Sequence, residues 1–209
     1  MRDRLIQTAA ELVAEGGVRG LSMRALAVAC DTSTNAIYTL FGGRPQLLRH
    51  VLKRAAVSFT AVQSDALQGK EDPVTELLNL GHAYYRWALE NPAFYVIMIQ
   101  GRIAEGDDDP IWEVPEGMED PMNPLLRSIR ACIEGGYMID SDHLRIALSL
   151  WSHVHGSSSL SMFAQRVRLP DEYAQQMFED NLQHVTAGWL TEKGLAHMPG
   201  LKPNFVWTI

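Results

Sequence analysis

The side chains best suited to binding chemistry lie close together between residues 24 and 44. They carry hydroxyl, amide, phenol and guanidinium groups and are Arg24, Ser33, Thr34, Asn35, Tyr38, Thr39 and Arg44. The sequence has no serine elbow, no phosphate-binding glycine loop and no HExxH pattern. These groups therefore predict hydrogen bonding to a polar, charged partner rather than catalysis.

Two short helices are expected to position these side chains. Ser22 is suited to cap the first helix and Ser33 to cap the second, with the polar turn Asp31-Thr32-Ser33 between them. The apolar face of the first helix consists of Met23, Leu26, Ala27 and Cys30. The second, over about residues 34–40, directs Ala36, Ile37 and Leu40 toward a core and leaves its polar side chains outside. This arrangement has the spacing of a helix-turn-helix.

Helical periodicity also dominates the rest of the chain. A preceding helix with Leu5, Ala9 and Val13 on one face is expected to end at Gly16-Gly17, and Pro45 to open a longer helix that ends near Leu67. Later helices are predicted through residues 77–87, 94–103, 125–136, 141–167 and 171–192, and the last two are expected to form an antiparallel pair. Residues 105–124, rich in Asp, Glu, Gly and Pro, predict an irregular lid or a mobile insertion.

The segment from Leu21 to Leu48 resembles the DNA-binding domain of the TetR family of regulators. The resemblance rests on Ser22, Leu26-Ala27, Ser33, Ala36-Ile37-Tyr38, Phe41, Arg44 and Leu47. Trp151, His155 and Gly156 are similar to the Trp-His-Gly (WHG) signature in the C-terminal domain of one branch of that family. The chain departs from the pattern at Asp31, which replaces a turn glycine, and at Asn35, Leu40 and Gly42-Gly43.

This resemblance implies an all-α protein of about nine helices that binds double-stranded operator DNA. We expect Thr34, Asn35 and Thr39 to lie at or near base edges, because Asn can pair with adenine and Thr can meet a thymine methyl group. Ser33, Tyr38, Arg24 and Arg44 are the candidates for phosphate contacts. The alternative is that Tyr38 is an aromatic residue at the edge of the core and Arg44 a solvated surface charge.

The distribution of charge supports an anionic partner for the N-terminal segment. The net charge of the 209 residues is −7, but residues 1–54 carry +4 and the remainder carries −11. Such asymmetry suggests that one part faces a polyanion while the other keeps the molecule in solution. We therefore predict a three-helix DNA-binding domain at 1–54, a larger helical ligand-sensing and dimerisation domain at 55–196, and a tail at 197–209.

The resemblance also implies a homodimer whose DNA binding, as a repressor, is released by a small-molecule effector. The two long C-terminal helices are the expected interface, with apolar area from Leu148, Trp151, Met162, Phe163, Met177, Val185 and Trp189. Large, adaptable side chains are the candidates for an effector pocket, although each could equally be ordinary core. They are Tyr84, Trp87, Phe94, Tyr95, Met98, Trp112, Met118, Met122, Trp151 and His155.

Other functions are less well supported by the sequence. His143, His153 and His155 suggest a metalloenzyme or hydrolase, but His153 and His155 are two residues apart on one helix and face different directions. A second alternative is a helical ligand- or partner-binding protein that no longer binds DNA. We expect no enzymatic activity, no cofactor, no metal and no membrane partner. Cys30 and Cys132 are expected to be buried free thiols, in a cytoplasmic protein without a secretory signal.

Overall fold

The computed structural model describes residues 1–68, 71–100, 120–166, 168 and 170–198, and within these ranges it is all-α, as predicted. Ten helices are present there, one more than the expected nine. They are α1 (Arg2–Gly20), α2 (Met23–Ala29), α3 (Thr34–Phe41), α4 (Arg44–Ala66), α5 (Pro73–Glu90), α6 (Pro92–Gln100), α7 (Asn123–Glu134), α8 (His143–Arg166), α9 (Asp171–Ala187) and α10 (Glu192–Leu195). In these residues no helix is long and apolar enough to cross a bilayer.

The chain divides into two compact units, each discontinuous in sequence. The first comprises Met1–Ala61 and Glu90–Pro121, and the second comprises Val62–Leu89 and Met122–Ile209. The boundary predicted at residue 54 falls within α4, which runs from the first unit into the second. Most of the segment predicted to be irregular, 105–119, lies outside the described residues, together with Trp112 and Met118.

The first unit is built on an apolar core beneath α1 to α4. The predicted apolar face of α1 is confirmed, since Leu5, Ala9 and Val13 are all buried. The helix was expected to end at Gly16-Gly17, and its backbone does break at Gly17, where φ is 66° and ψ is −178°. One further turn follows, so that α1 ends at Gly20. A left-handed φ of this kind favours glycine, which explains why the break falls there.

The second unit contains the predicted antiparallel helix pair. Trp189 Nε1 of α9's C-terminal flank donates to Ser149 Oγ of α8 at 3.3 Å, and Asn181 Nδ2 donates to Ser157 Oγ at 3.3 Å. Later residues of one helix therefore meet earlier residues of the other, which confirms the antiparallel arrangement. Gly81 of α5 allows a close approach to α9, because a Cβ atom at this position would lie 2.8 Å from Leu182 Cδ1.

Helix α9 ends at Ala187, whereas the sequence predicted a helix to residue 192. The prediction was wrong because the chain beyond Ala187 pairs with the segment that follows α7. Ile139 N–H donates to the Trp189 carbonyl at 2.9 Å, and Thr191 N–H donates to the Tyr137 carbonyl at 2.9 Å. These bonds replace helical ones, and the short α10 begins after them. Both cysteines are free and buried, as expected.

Candidate functional site

The caps predicted for α2 and α3 are present. Ser22 Oγ accepts from Ala25 N–H at 3.0 Å, and Ser33 Oγ accepts from Ala36 N–H at 3.1 Å. Each bond satisfies one of the backbone donors that a helix N-terminus leaves without an intrahelical partner. The two short helices thus have the lengths and starting points that a helix-turn-helix requires.

The turn between the two helices is held by its own backbone. Asp31 has a φ of 49°, Asp31 N–H donates to Val28 O at 3.2 Å, and Thr32 N–H donates to Ala27 O at 2.9 Å. This pair of bonds is a Schellman motif with Asp31 at the position that usually carries glycine. Asp tolerates a left-handed backbone better than most residues, so the turn forms without the glycine.

Helix α3 presents a polar face to solvent. Thr34, Asn35, Tyr38 and Thr39 are all exposed, whereas Ile37 and Phe41 are buried and hold the helix on the core. Thr39 Oγ1 donates to Asn35 O at 2.9 Å, so its hydroxyl proton is used within the helix. Tyr38 is 51% exposed, which places it outside the core.

Leu40 does not lie in the core, contrary to the prediction. Its side chain is 36% exposed, and Phe41 takes the expected place. Phe41 is four residues after Ile37 and shares its face of the helix, so these two side chains together fill the space beneath α3. Gly42 then ends the helix with a φ of 79°, and its N–H donates to the Tyr38 carbonyl at 2.7 Å.

The two arginines predicted to contact phosphates differ in their surroundings. Arg24 is exposed on α2, whereas Arg44 is half-buried and its Nη2 donates to the Val18 carbonyl. Arg44 thus joins the last turn of α1 to the first turn of α4, and its surroundings are not those of a solvated surface charge.

A cluster around Arg2 was not anticipated from the sequence. Arg2 Nη1 donates to the Leu40 carbonyl at 3.3 Å, and Arg2 Nη2 lies 2.9 Å from His50 Nε2. The guanidinium carbon is 4.9 Å from the centre of the Phe41 ring. Burial, followed by the charges of Arg2 and Lys53, lowers the pKa of His50 below its usual value. Arg2 is separated from Leu40 by 38 positions and from His50 by 48, and no local sequence pattern indicates contacts over such separations.

Three residues of the predicted effector set meet in the second unit. Tyr84 Oη lies 3.2 Å from His155 Nδ1, and the rings of Trp151 and His155 are stacked, with centroids 5.2 Å apart and an interplanar angle of 23°. Burial lowers the pKa of His155, so its imidazole is neutral near pH 7. The cluster therefore offers a phenol, a neutral imidazole and an indole surface, a combination suited to hydrogen bonding and stacking.

The other predicted effector residues are distributed over both units. Trp87 is buried on α5, and Met122 is half-buried just before α7. Phe94, Tyr95 and Met98 are buried on α6, in the first unit. These positions fit a core role as well as a ligand role, and the binding role of the set stays a prediction.

The interior of the second unit also contains polar pairs that the sequence did not reveal. Tyr85 Oη donates to Ser161 Oγ at 2.9 Å, and the Tyr85 ring stacks on Phe178 with centroids 3.9 Å apart. His82 Nε2 lies 2.9 Å from Glu179 Oε2. No group of three or more His, Cys, Asp or Glu suited to a metal ion is present in the described ranges.

The described apolar residues among those predicted for the dimer interface are not fully buried within one chain. Leu148 is 45% exposed, and Trp151, Met162, Met177, Val185 and Trp189 are half-buried. The side chain of Phe163 lies outside the described residues. Leu144 is also exposed and is one turn from Leu148, so one strip of α8 presents apolar area to solvent.

Two protein families match the chain. Residues 5–51 match the family described as bacterial regulatory proteins, tetR family. Residues 77–185, more than half of the chain, match the tetracyclin repressor-like C-terminal domain. The first match contains the cap residues and α3, and the second contains Tyr84, Trp151 and His155.

A curated relative and several solved structures are similar to the chain. An uncharacterized HTH-type transcriptional regulator, YobS of Bacillus subtilis (strain 168), is 23% identical over 159 residues, which are 75% of this chain and 76% of the relative. The ketosteroid transcriptional regulator KstR2 of Mycobacterium tuberculosis has a TM-score of 0.70 at 20% identity, covering 91% of this chain and 95% of its own. A TetR-family transcriptional regulator from Haemophilus influenzae RD has a TM-score of 0.68 at 14% identity, covering 91% and 96%. At these identities the two structures show the fold alone.

Proposed function

Since this chain belongs to the TetR family of bacterial regulatory proteins, we propose that it binds operator DNA as a homodimer and is released by a small-molecule effector. The chain is a transcriptional regulator with a helix-turn-helix. The observation that carries the proposal is the exposed polar face of α3, which Ile37 and Phe41 hold from behind. Residues 1–54 bind DNA in this proposal, residues 55–196 sense the effector and dimerise, and the protein represses by binding, without catalysis.

The exposed residues of α3 have the chemistry for base readout. The carboxamide of Asn35 is exposed and makes no hydrogen bond to another described side chain, so both its donor and its acceptor can meet an adenine edge. The hydroxyl proton of Thr39 is used by Asn35 O, and its methyl group is left for apolar contact with a thymine. Thr34, in the first turn, lies on the exposed part of the helix that enters the groove first.

The phosphate contacts are proposed for residues that flank this face. Ser33 Oγ accepts the capping bond from Ala36 N–H, so its own proton can donate to a phosphate oxygen. Tyr38 and Arg24 are exposed and can also donate hydrogen bonds to phosphate oxygens, and the bond from Arg24 would be charge-assisted. Arg44 would have to bind a phosphate and Val18 O with the same guanidinium group, because its Nη2 already donates to Val18 O.

A mobility-shift titration against the DNA upstream of the protein's own coding region tests this proposal. Asn35→Ala is expected to weaken binding by about 1–3 kcal/mol, roughly five- to 150-fold, because a bidentate contact to a base is lost. Arg24→Ala is expected to reduce the salt slope by about one unit. Asn79→Ala, which removes an exposed amide on α5, is the matched control and should bind as wild type does. Unchanged affinity in Asn35→Ala would contradict the base-reading role.

The homodimer is proposed because one helix-turn-helix makes few contacts and specific affinity needs two copies about 34 Å apart. The apolar strip of α8, with Leu144 and Leu148 exposed and Trp151 half-buried at a spacing of four and three residues, is the proposed interface. Leu148→Asp should give a monomer in sedimentation velocity, since a charge would be buried in the interface. Val57→Asp, on exposed α4 surface, should leave the dimer intact. A dimeric Leu148→Asp protein would place the interface elsewhere.

The effector is proposed to bind at Tyr84, Trp151 and His155, within the set predicted from sequence. The phenol of Tyr84, the neutral imidazole of His155 and the indole of Trp151 are suited to an uncharged, ring-containing effector rather than a carboxylate. A thermal-shift panel of a neutral ketosteroid, a neutral aromatic ketone and an aromatic carboxylate tests this. The steroid is included because one solved relative is named as a ketosteroid regulator. His155→Ala should abolish the response and retain DNA binding, and a response only to the carboxylate would contradict the proposal.

A further inference from the structure

The contacts of Arg2 connect three helices of the first unit. Its guanidinium reaches the Leu40 carbonyl in the last turn of α3 and the His50 ring in α4, from a position at the start of α1. The carbonyls in the last turn of a helix have no intrahelical donor, and a cationic donor at that end both satisfies one of them and complements the helix dipole. Arg2 therefore acts as a cap for the C-terminus of α3.

The contact between Arg2 and His50 is favourable only while the imidazole carries no charge. Arg2 Nη2 lies 2.9 Å from His50 Nε2 and 3.4 Å from His50 Nδ1, so a permanent positive charge is close to both ring nitrogens. Phe41 lies beside both groups, with its ring 5.4 Å from that of His50 and 4.9 Å from the Arg2 guanidinium carbon. Protonation of His50 would place two like charges in this contact.

The charged groups close to His50 are cations. His50 faces Arg2 from α1 and is close to Lys53 of α4, whereas α3 contributes the uncharged Phe41 ring. Asp3 lies beside Arg2 in sequence but is paired with Arg54 at 2.9 Å. No carboxylate therefore pairs with His50 in the described part of the chain, and the two nearby cations lower its pKa together with burial.

We propose that Arg2 is a positioning residue for DNA recognition, which holds α3 through its last turn, and that a proton on His50 releases this hold and weakens operator binding. The inference rests on the proposed role of α3 as the reading helix. This pH effect on affinity runs opposite to the usual one. Lowering the pH makes a protein of net charge −7 more positive, which in general strengthens its binding to DNA.

The test compares the affinity of the full-length dimer for its operator between pH 8 and pH 5.5 at constant salt. His50→Gln keeps an acceptor for Arg2 but cannot be protonated, so it should match wild type at pH 8 and bind roughly fivefold more tightly than wild type at pH 5.5. Arg2→Met should lose roughly five- to tenfold at pH 8, with no salt-slope change, and should lack the His50-dependent loss at low pH. Arg4→Met, which removes an equal exposed charge from the same helix, is the matched control.

Three results would overturn the inference. Wild type and His50→Gln could share one pH profile, Arg2→Met and Arg4→Met could weaken binding equally, or Arg2→Met could lower the salt slope by about one unit, which would identify Arg2 as a phosphate ligand instead. The two-dimensional NMR signals of His50 give an independent readout, because its pKa should rise toward the ordinary value in Arg2→Met. Asn35→Ala separates the two proposals: if it abolishes binding while His50→Gln behaves as wild type, only the role of Arg2 fails.

Discussion

The two compact units differ in where they keep their polar groups. Among the described residues, every buried polar side chain lies in the second unit, and they are Gln63, Ser128, Ser157, Ser158, Ser161 and Thr186. The fully buried side chains of the first unit are apolar or aromatic, and polar contacts such as Arg2 with His50 and Asp3 with Arg54 lie at its surface. Its buried polar atoms, Arg44 Nε and Thr60 Oγ1, belong to half-buried residues. Within the described residues, fully buried polar side chains are therefore confined to the second unit, where Ser157, Ser158 and Ser161 form interior hydrogen bonds.

This difference fits two different tasks. An apolar core resists deformation and keeps exposed side chains at fixed positions, as a DNA-reading surface requires. Interior hydrogen bonds can be exchanged for bonds to a ligand, whereas a tightly packed apolar core offers no such exchange. In the described ranges, polar atoms buried without a hydrogen-bond partner occur in both units, and they belong to Arg44 and Thr60 in the first and to Gln63, Glu76, Ser128 and Thr186 in the second. The second unit therefore has more interior polar capacity that a ligand could use.

We expect the largest loss of stability on substitution of Phe178, a buried side chain that packs against two rings in the interior of the second unit. It is 1% exposed, stacks on Tyr85 and packs edge-on against His82 at 5.5 Å. Phe178→Ala should lower the free energy of unfolding by about 3–5 kcal/mol, because a large cavity replaces the ring. Urea unfolding measures this, and Tyr173→Ala, on the exposed face of the same helix, should change stability by less than about 0.5 kcal/mol. An equal effect of the two substitutions would contradict this assignment.

A smaller effect is expected from the buried pair Tyr85 and Ser161. Tyr85→Phe should cost about 1–3 kcal/mol, because it leaves the Ser161 hydroxyl buried without its donor. The double substitution Tyr85→Phe with Ser161→Ala should cost less than the sum of the single ones, since it removes both partners. Thr34→Val in the first unit removes an exposed hydroxyl and should change stability by less than about 0.5 kcal/mol. If the cost of the double substitution equalled the sum of the two single ones, the buried hydrogen bond would not couple these residues. The proposed contrast between the two units would then fail.

Much of the helix-turn-helix could be predicted from sequence because its determinants are local. Ser22, Ser33 and Asp31 act on backbone groups within a few residues, so their types and spacing carry the information. The errors arise where distant segments interact. The end of α9 depends on pairing with residues 137–139, and the contacts of Arg2 with Leu40 and His50 span 38 and 48 residues. Of the effector set, the sequence could name large side chains but not which of them converge on His155.

The two capping serines of the first unit, Ser22 and Ser33, are equivalent in structure but not in proposed function. Ser22→Ala and Ser33→Ala should each cost about 1 kcal/mol of stability, because each removes the acceptor at a helix N-terminus. Only Ser33 is proposed to donate its proton to a phosphate, so only Ser33→Ala should also weaken operator binding, by roughly three- to tenfold.

Glycine at the same positions separates stability from binding. A glycine cap costs only a few tenths of a kcal/mol relative to serine, and it carries no hydroxyl. Ser33→Gly should therefore keep near-native stability in thermal unfolding while retaining the loss of operator affinity, and Ser22→Gly should be close to wild type in both measurements. If Ser33→Gly bound the operator as tightly as wild type, the serine would serve only as a cap, and the surface of the apolar unit would read DNA without it.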